Sequence, residues 1–97
     1  MFEIVLTPEA IDDMRSLRKF ERRHIFDEIE EQLQHRPSAE TRNRKRLHPN
    51  DLAEWERRIG KFRVFCDVDE TELRVKIEAV GYKGGSLLMV HGQEYDL

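Results

Sequence analysis

Apolar residues change their spacing along this chain, and each change marks a new element. Phe2 to Leu6, "FEIVL", is short, apolar and β-branched, and reads as a strand. Thr7-Pro8 follows as a helix start, a hydroxyl N-cap before a proline whose missing N–H costs nothing at the first helical position. Ile11, Met14 and Leu17 then recur at helical spacing, and Glu9, Asp12 and Asp13 place acids toward the positive end of that helix. A break near Arg18-Lys19 leads into a longer helix, about Glu21 to His35. Its apolar face is expected to hold Ile25, Phe26, Ile29 and Leu33, with Asp27, Glu28, Glu30 and Glu31 opposite. Pro37 stops it.

Residues 36–52 form a polar connection bounded by prolines. Beyond it comes a short strand, Trp55 to Ile59, and then the apolar period becomes two. Phe62, Val64, Cys66 and Val68 point one way, and Arg63, Phe65, Asp67 and Asp69 the other. "DETE" is a tight turn, after which Leu73, Val75, Ile77 and Ala79 resume the alternation against Arg74, Lys76 and Glu78. That pattern predicts a hairpin with one buried and one wet face. A last strand, Ser86 to His91, follows the Gly84-Gly85 bend. The order β-α-α-β-β-β-β predicts an α+β domain spanning residues 1–97, its N-terminal strand and helical hairpin packed on a four- to five-stranded, mainly antiparallel sheet. With Phe62, Val64 and Cys66 toward the helices, Arg63 is expected on the open face. Arg57 and Arg58, as successive strand residues, cannot both share it.

Composition narrows the function classes. Hydrophobic and charged residues each make up 38% of the 97, and Cys66 is the only cysteine, so there is neither a disulfide framework nor a CxxC metal site. His24, His35 and His48 lack metal-ligand spacing, so no metal and no cofactor are expected. No segment has the roughly 18 apolar residues of a membrane span, and "MFEIVLTPEA" lacks a leader's basic start, which favours the cytoplasm. The net charge of -3 hides a division: residues 42–63 carry 8 bases and 3 acids. Arg42, Arg44, Lys45, Arg46, Arg57, Arg58, Lys61 and Arg63 form this block. Such a block can meet a polyanion even on an acidic chain, because screening limits distant charges to about 8 Å.

"LTPEA" after the first strand, "NRKRL", "WERRIGKFRVFCDVDE" and "VKIEAVGYKG" together resemble the RelE/ParE superfamily of bacterial toxins from type II toxin–antitoxin modules. The resemblance covers nearly the whole chain. It implies one of two activities, cleavage of mRNA in the ribosomal A site as in RelE-type members, or poisoning of DNA gyrase as in ParE-type members. It also implies a cognate antitoxin, expected to lay a segment over the Arg44–Arg63 surface. In the ribonuclease reading the resemblance places Arg63 at the scissile phosphate and Lys83 where a second arginine stands. The paired strand lysines fall at Glu54 and Glu56, opposite in sign, and the base-stacking tyrosine falls near Met89, with Tyr95 and His91 as substitutes.

Cleavage by 2′-hydroxyl attack needs a base, an acid for the leaving 5′-oxygen, and cations for the phosphorane charge. Glu56 is the candidate base, His91 the acid, and Arg63 with Lys83 the cationic cradle. Arg44, Lys45, Arg46, Arg57, Arg58, Lys61 and Tyr95 are the candidate RNA contacts. Each has a plainer alternative: Glu54 and Glu56 as cross-strand ion-pair partners, Arg63 paired to Glu78, Trp55 as a core anchor. A gyrase-binding toxin, or one that retains only antitoxin binding, is the rival function.

Overall fold

The computed structural model describes residues 1–96. Strand β1 (Glu3–Leu6) leads into helix α1 (Pro8–Arg15), whose N-cap is Thr7: its Oγ accepts from the Ala10 N–H at 3.1 Å. Helix α2 (Lys19–Leu33) opens with the Arg18 N–H donating to the Glu21 carboxylate at 3.2 Å. It buries Ile25, Ile29 and Leu33, a stripe at every fourth residue. Phe26 lies off that stripe and is 41% exposed, which corrects the expectation that it belonged to the core face.

Five strands were expected at most; among the described residues there are seven, in the order β2-β3-β4-β5-β6-β7, with β1 parallel to β5. They are β2 (Arg44–Arg46), β3 (Trp55–Ile59), β4 (Phe62–Asp69), β5 (Arg74–Gly84), β6 (Leu87–Val90) and β7 (Gln93–Tyr95). The two additions, β2 and β7, are three-residue polar strands with no apolar alternation to betray them. The parallel β1–β5 pair needs a long crossover, which the helical hairpin begins.

The main core lies between the helices and the sheet and includes Met14, Ile25, Ile29, Trp55, Val64, Val75 and Ile77. Trp55 is thus an anchor, 4% exposed, with the Arg46 guanidinium 5.8 Å from its ring centroid. The other face is not simply wet. Phe65, Ala79 and Val90 are buried there under Ala53, Leu47 and Leu52 of the loop before β3. A register shift explains the switch: Phe65 pairs with Ala79 but Cys66 with Ile77, so Glu78 is an extra residue. Ala79 therefore leaves the helix face, and Val80 takes its place. Leu73, expected in the core, sits at the hairpin turn with φ 53° and is 47% exposed.

The extra residue carries an electrostatic cost. Burial raises the pKa of the Glu78 carboxyl, its hydrogen bond with Asp67 adds to this, and Lys76 at 3.2 Å opposes it. A carboxyl raised in the folded state contributes stability that is complete below its unfolded pKa and lost as pH rises through the folded one. Glu78→Gln is therefore expected to raise the melting temperature at pH 7 relative to wild type. The gain should shrink as pH falls through the carboxylate range; a constant difference across that range would contradict the shift.

A cationic cleft on the second sheet face

Chain alternation on β2, β3 and β4 divides the basic block between two faces. Arg44 pairs with Arg57, and both turn toward the helices. Arg57 reaches Glu28 of α2 at 3.3 Å; Arg44 donates to the Arg36 carbonyl and, at 3.3 Å, to the Gln32 carbonyl at the end of α2. A cation at the negative end of a helix is well placed. Burial, and then Arg57 beside it, lower the pKa of Arg44. These two arginines, expected as RNA contacts, are buried and fasten the sheet to α2. Lys61, at the β3–β4 turn, points to Glu21 at 3.7 Å.

Lys45, Glu56, Arg58 and Arg63 alternate onto the other face, where Lys45 is opposite Glu56 and Arg58 opposite Arg63. The Glu56 side chain is 14% exposed and lies between Lys45 Nζ and Arg63 Nε, each 3.7 Å from one of its oxygens. Glu54 likewise meets Arg46 at 3.6 Å, so both glutamates are cross-strand partners of the block. Arg63 is on the expected face but is not open to solvent. It is 7% exposed, and its guanidinium donates to the Gly60 carbonyl at 2.7 Å and the Phe62 carbonyl at 2.9 Å. Burial and the neighbouring Arg58 lower its pKa, and Glu56 opposes them. Its carboxylate partner is Glu56, not Glu78. The Arg63 guanidinium is held at the β3–β4 turn because the Gly60 and Phe62 carbonyls there need donors.

Across β5, β6 and β7 the register sets Lys83 opposite Leu88 and Leu88 opposite Tyr95. With the loop after β2 these residues enclose a cleft of about 430 Å³, lined by Lys45, Arg46, His48, Glu56, Lys83 and Tyr95 among others. Gly81 faces Arg63 across the β4–β5 pair, and a Cβ there would run into the Met89 carbonyl. That position admits no side chain without moving β6 off β5.

The cleft thus gathers Glu56, Lys83, Lys45, Arg46 and Tyr95, with Arg63 behind Glu56. It does not include His91. That residue holds the β6–β7 turn with φ 54°, its Nδ1 2.9 Å from Asp13 of α1, whose carboxylate also accepts from the Val80 N–H at 3.0 Å. His48 is the cleft histidine that sequence spacing passed over; its only signal was its place directly behind the basic run. Cys66 is buried, its thiol pushed up to about 12 by burial, so it is inert. Among the described residues no three His, Cys, Asp or Glu side chains gather as a metal-ligand group. No described helix is long and apolar enough to cross a membrane.

Two solved structures are similar in fold. One is the RelBE2 toxin–antitoxin complex from Mycobacterium tuberculosis, with a TM-score of 0.73 and 20% identity, covering 84% of this chain and 98% of that one. The other is the archaeal RelE–RelB complex from Pyrococcus horikoshii OT3, with a TM-score of 0.63 and 18% identity, covering 87% and 97%. No curated protein matches the chain. Residues 4–85 match the family described as ParE toxin of type II toxin–antitoxin system, parDE. That match spans most of the sequence, and the chain belongs to this family of toxins.

Proposed function

We propose that this toxin binds single-stranded RNA in the cleft between β2 and β5–β7 and cleaves it, and that a cognate antitoxin restrains it. The observation behind this reading is the meeting of three cations, two carboxylates (Glu56 and Asp96), one histidine and one tyrosine around a single cleft. Lys45, Arg46 and Lys83 suit phosphates, and the Tyr95 ring suits a stacked base. Glu56 takes the proton from the 2′-hydroxyl as its oxygen bonds to phosphorus. The P–O5′ bond then breaks, and His48 gives the departing 5′-oxygen its proton, leaving a 2′,3′-cyclic phosphate and a 5′-hydroxyl. Ribosome-bound mRNA is the substrate that the RelE likeness favours.

Arg63 favours the second reading. An arginine spent on two carbonyls and a glutamate is not free for a phosphate, which fits a toxin that acts by binding a protein such as gyrase. Inducing the chain in cells while mapping mRNA 5′ ends and plasmid topology separates the two. New 5′ ends with unchanged supercoiling support cleavage. Lost supercoiling with intact transcripts overturns it.

A further inference from the structure

Two cations of the basic block, Arg42 and Arg58, are exposed and make no ion pair among the described residues. Backbone pairing sets them together. Thr41 and Arg44 exchange backbone hydrogen bonds at 2.9 and 3.3 Å, so Arg42 and Asn43 form the tip of a tight turn before β2. The Asn43 carbonyl accepts from the Arg58 N–H at 2.7 Å and fastens that tip to β3. Beside it is a notch of about 30 Å³, lined by Arg42, Asn43, Arg44, Lys45, Glu56 and Arg58. Lys45 and Glu56 line the large cleft too, so notch and cleft adjoin. The charge in the notch is unbalanced. Arg58 stands opposite Arg63, and like charges in that cross-strand position repel. The one carboxylate, Glu56, is shared between Lys45 and Arg63.

We propose that the notch holds a backbone phosphate of the same single-stranded RNA that enters the cleft, an assignment that rests on the cleft being an RNA site but not on cleavage. Room for about two water-sized groups suits phosphate oxygens and excludes a base. Arg42 and Arg58 supply two guanidinium groups, the donors whose fork best fits phosphate. Bound there, the phosphate also relieves the repulsion between Arg58 and Arg63. Arg42 and Lys83 of β5 are separated by three strand spacings, roughly 14 Å, so one phosphate cannot serve both. The substrate is therefore an oligonucleotide drawn across β5, β4, β3 and β2, not a mononucleotide.

Anisotropy of a labelled octanucleotide, 2′-O-methylated so that it cannot be cleaved, reads binding alone. Wild type is expected to bind with an affinity that falls as salt rises. R42A/R58A should bind at least about tenfold more weakly, and its plot of log affinity against log salt should flatten by about 0.7 for the one phosphate lost. R42K/R58K, which keeps the charges, should restore the slope. R22A/R23A removes as much charge from α2, on the other face, and should match wild type. Wild-type affinity and slope in R42A/R58A overturn the notch and leave the cleft standing, whereas no binding by wild type overturns both. An equal loss in R22A/R23A overturns the notch as well, since the attraction is then diffuse. So does capture of polyglutamate but not RNA through Arg42 and Arg58, which would give the notch to an acidic protein segment.

Discussion

Val64→Asp is expected to yield a chain that does not fold. Val64 is fully buried on the helix face of β4, within the cluster that joins Ile25 and Ile29 to Trp55 and Val75. The substitution removes about 1.5–3 kcal/mol of apolar burial. It also places a carboxylate among aliphatic and aromatic side chains, and the one cation across the β3–β4 pair from it, Arg57, is already committed to Glu28. An unpaired buried charge costs several kcal/mol after relaxation, and the whole domain has about 5–15 kcal/mol to lose. Circular dichroism of Val64→Asp at pH 7 should show no cooperative melt, whereas Val64→Ala should melt cooperatively at a lower temperature. A cooperative melt for Val64→Asp near that of wild type would mean that β4 is not in the register described.

The large apolar elements were legible because their period is set by burial on one side. "FEIVL", Ile25-Ile29-Leu33 and Phe62-Val64-Cys66 each face the helix–sheet core, and each follows its expected spacing. Alternation misled where the chain departs from a regular strand. The extra residue at Glu78 reverses every later side chain of β5, so Ala79 and Val80 exchange faces without any mark in the sequence. Short polar strands such as Arg44–Arg46 are held by backbone pairing with β3, which leaves no hydrophobic trace. The site was half legible for the same reason. Alternation placed Arg63 on the second face, but could not show the β3–β4 turn carbonyls that occupy its guanidinium. Nor could it bring His48 to the cleft and His91 to Asp13, since both depend on how loops return.

Within the cleavage reading, Glu56→Gln is the variant expected to lose most activity while keeping its fold. The amide has the same shape as the carboxylate, and its one oxygen can still accept from either Lys45 or Arg63. Arg63 keeps its two backbone carbonyls, so the melting temperature should fall only slightly. The lost group is the base, and removing a general base costs about 10²–10⁴-fold in rate. Arg63→Ala is the contrasting case. It strips two hydrogen bonds from a charged donor that is 7% exposed, each worth about 1.5–3 kcal/mol, and leaves the carbonyls without that partner. It should therefore lower the melting temperature by well over 4–8 °C, roughly the shift per kcal/mol for a domain of about this size. Its loss of growth arrest alone would say little about catalysis. The decisive measurement is single-turnover cleavage of a short RNA by folded Glu56→Gln beside wild type, with both melts in hand. A wild-type rate in that variant would remove Glu56 from the chemistry. The carboxylate between Lys45 and Arg63 would then be part of the sheet's cross-strand charge pairing and nothing more.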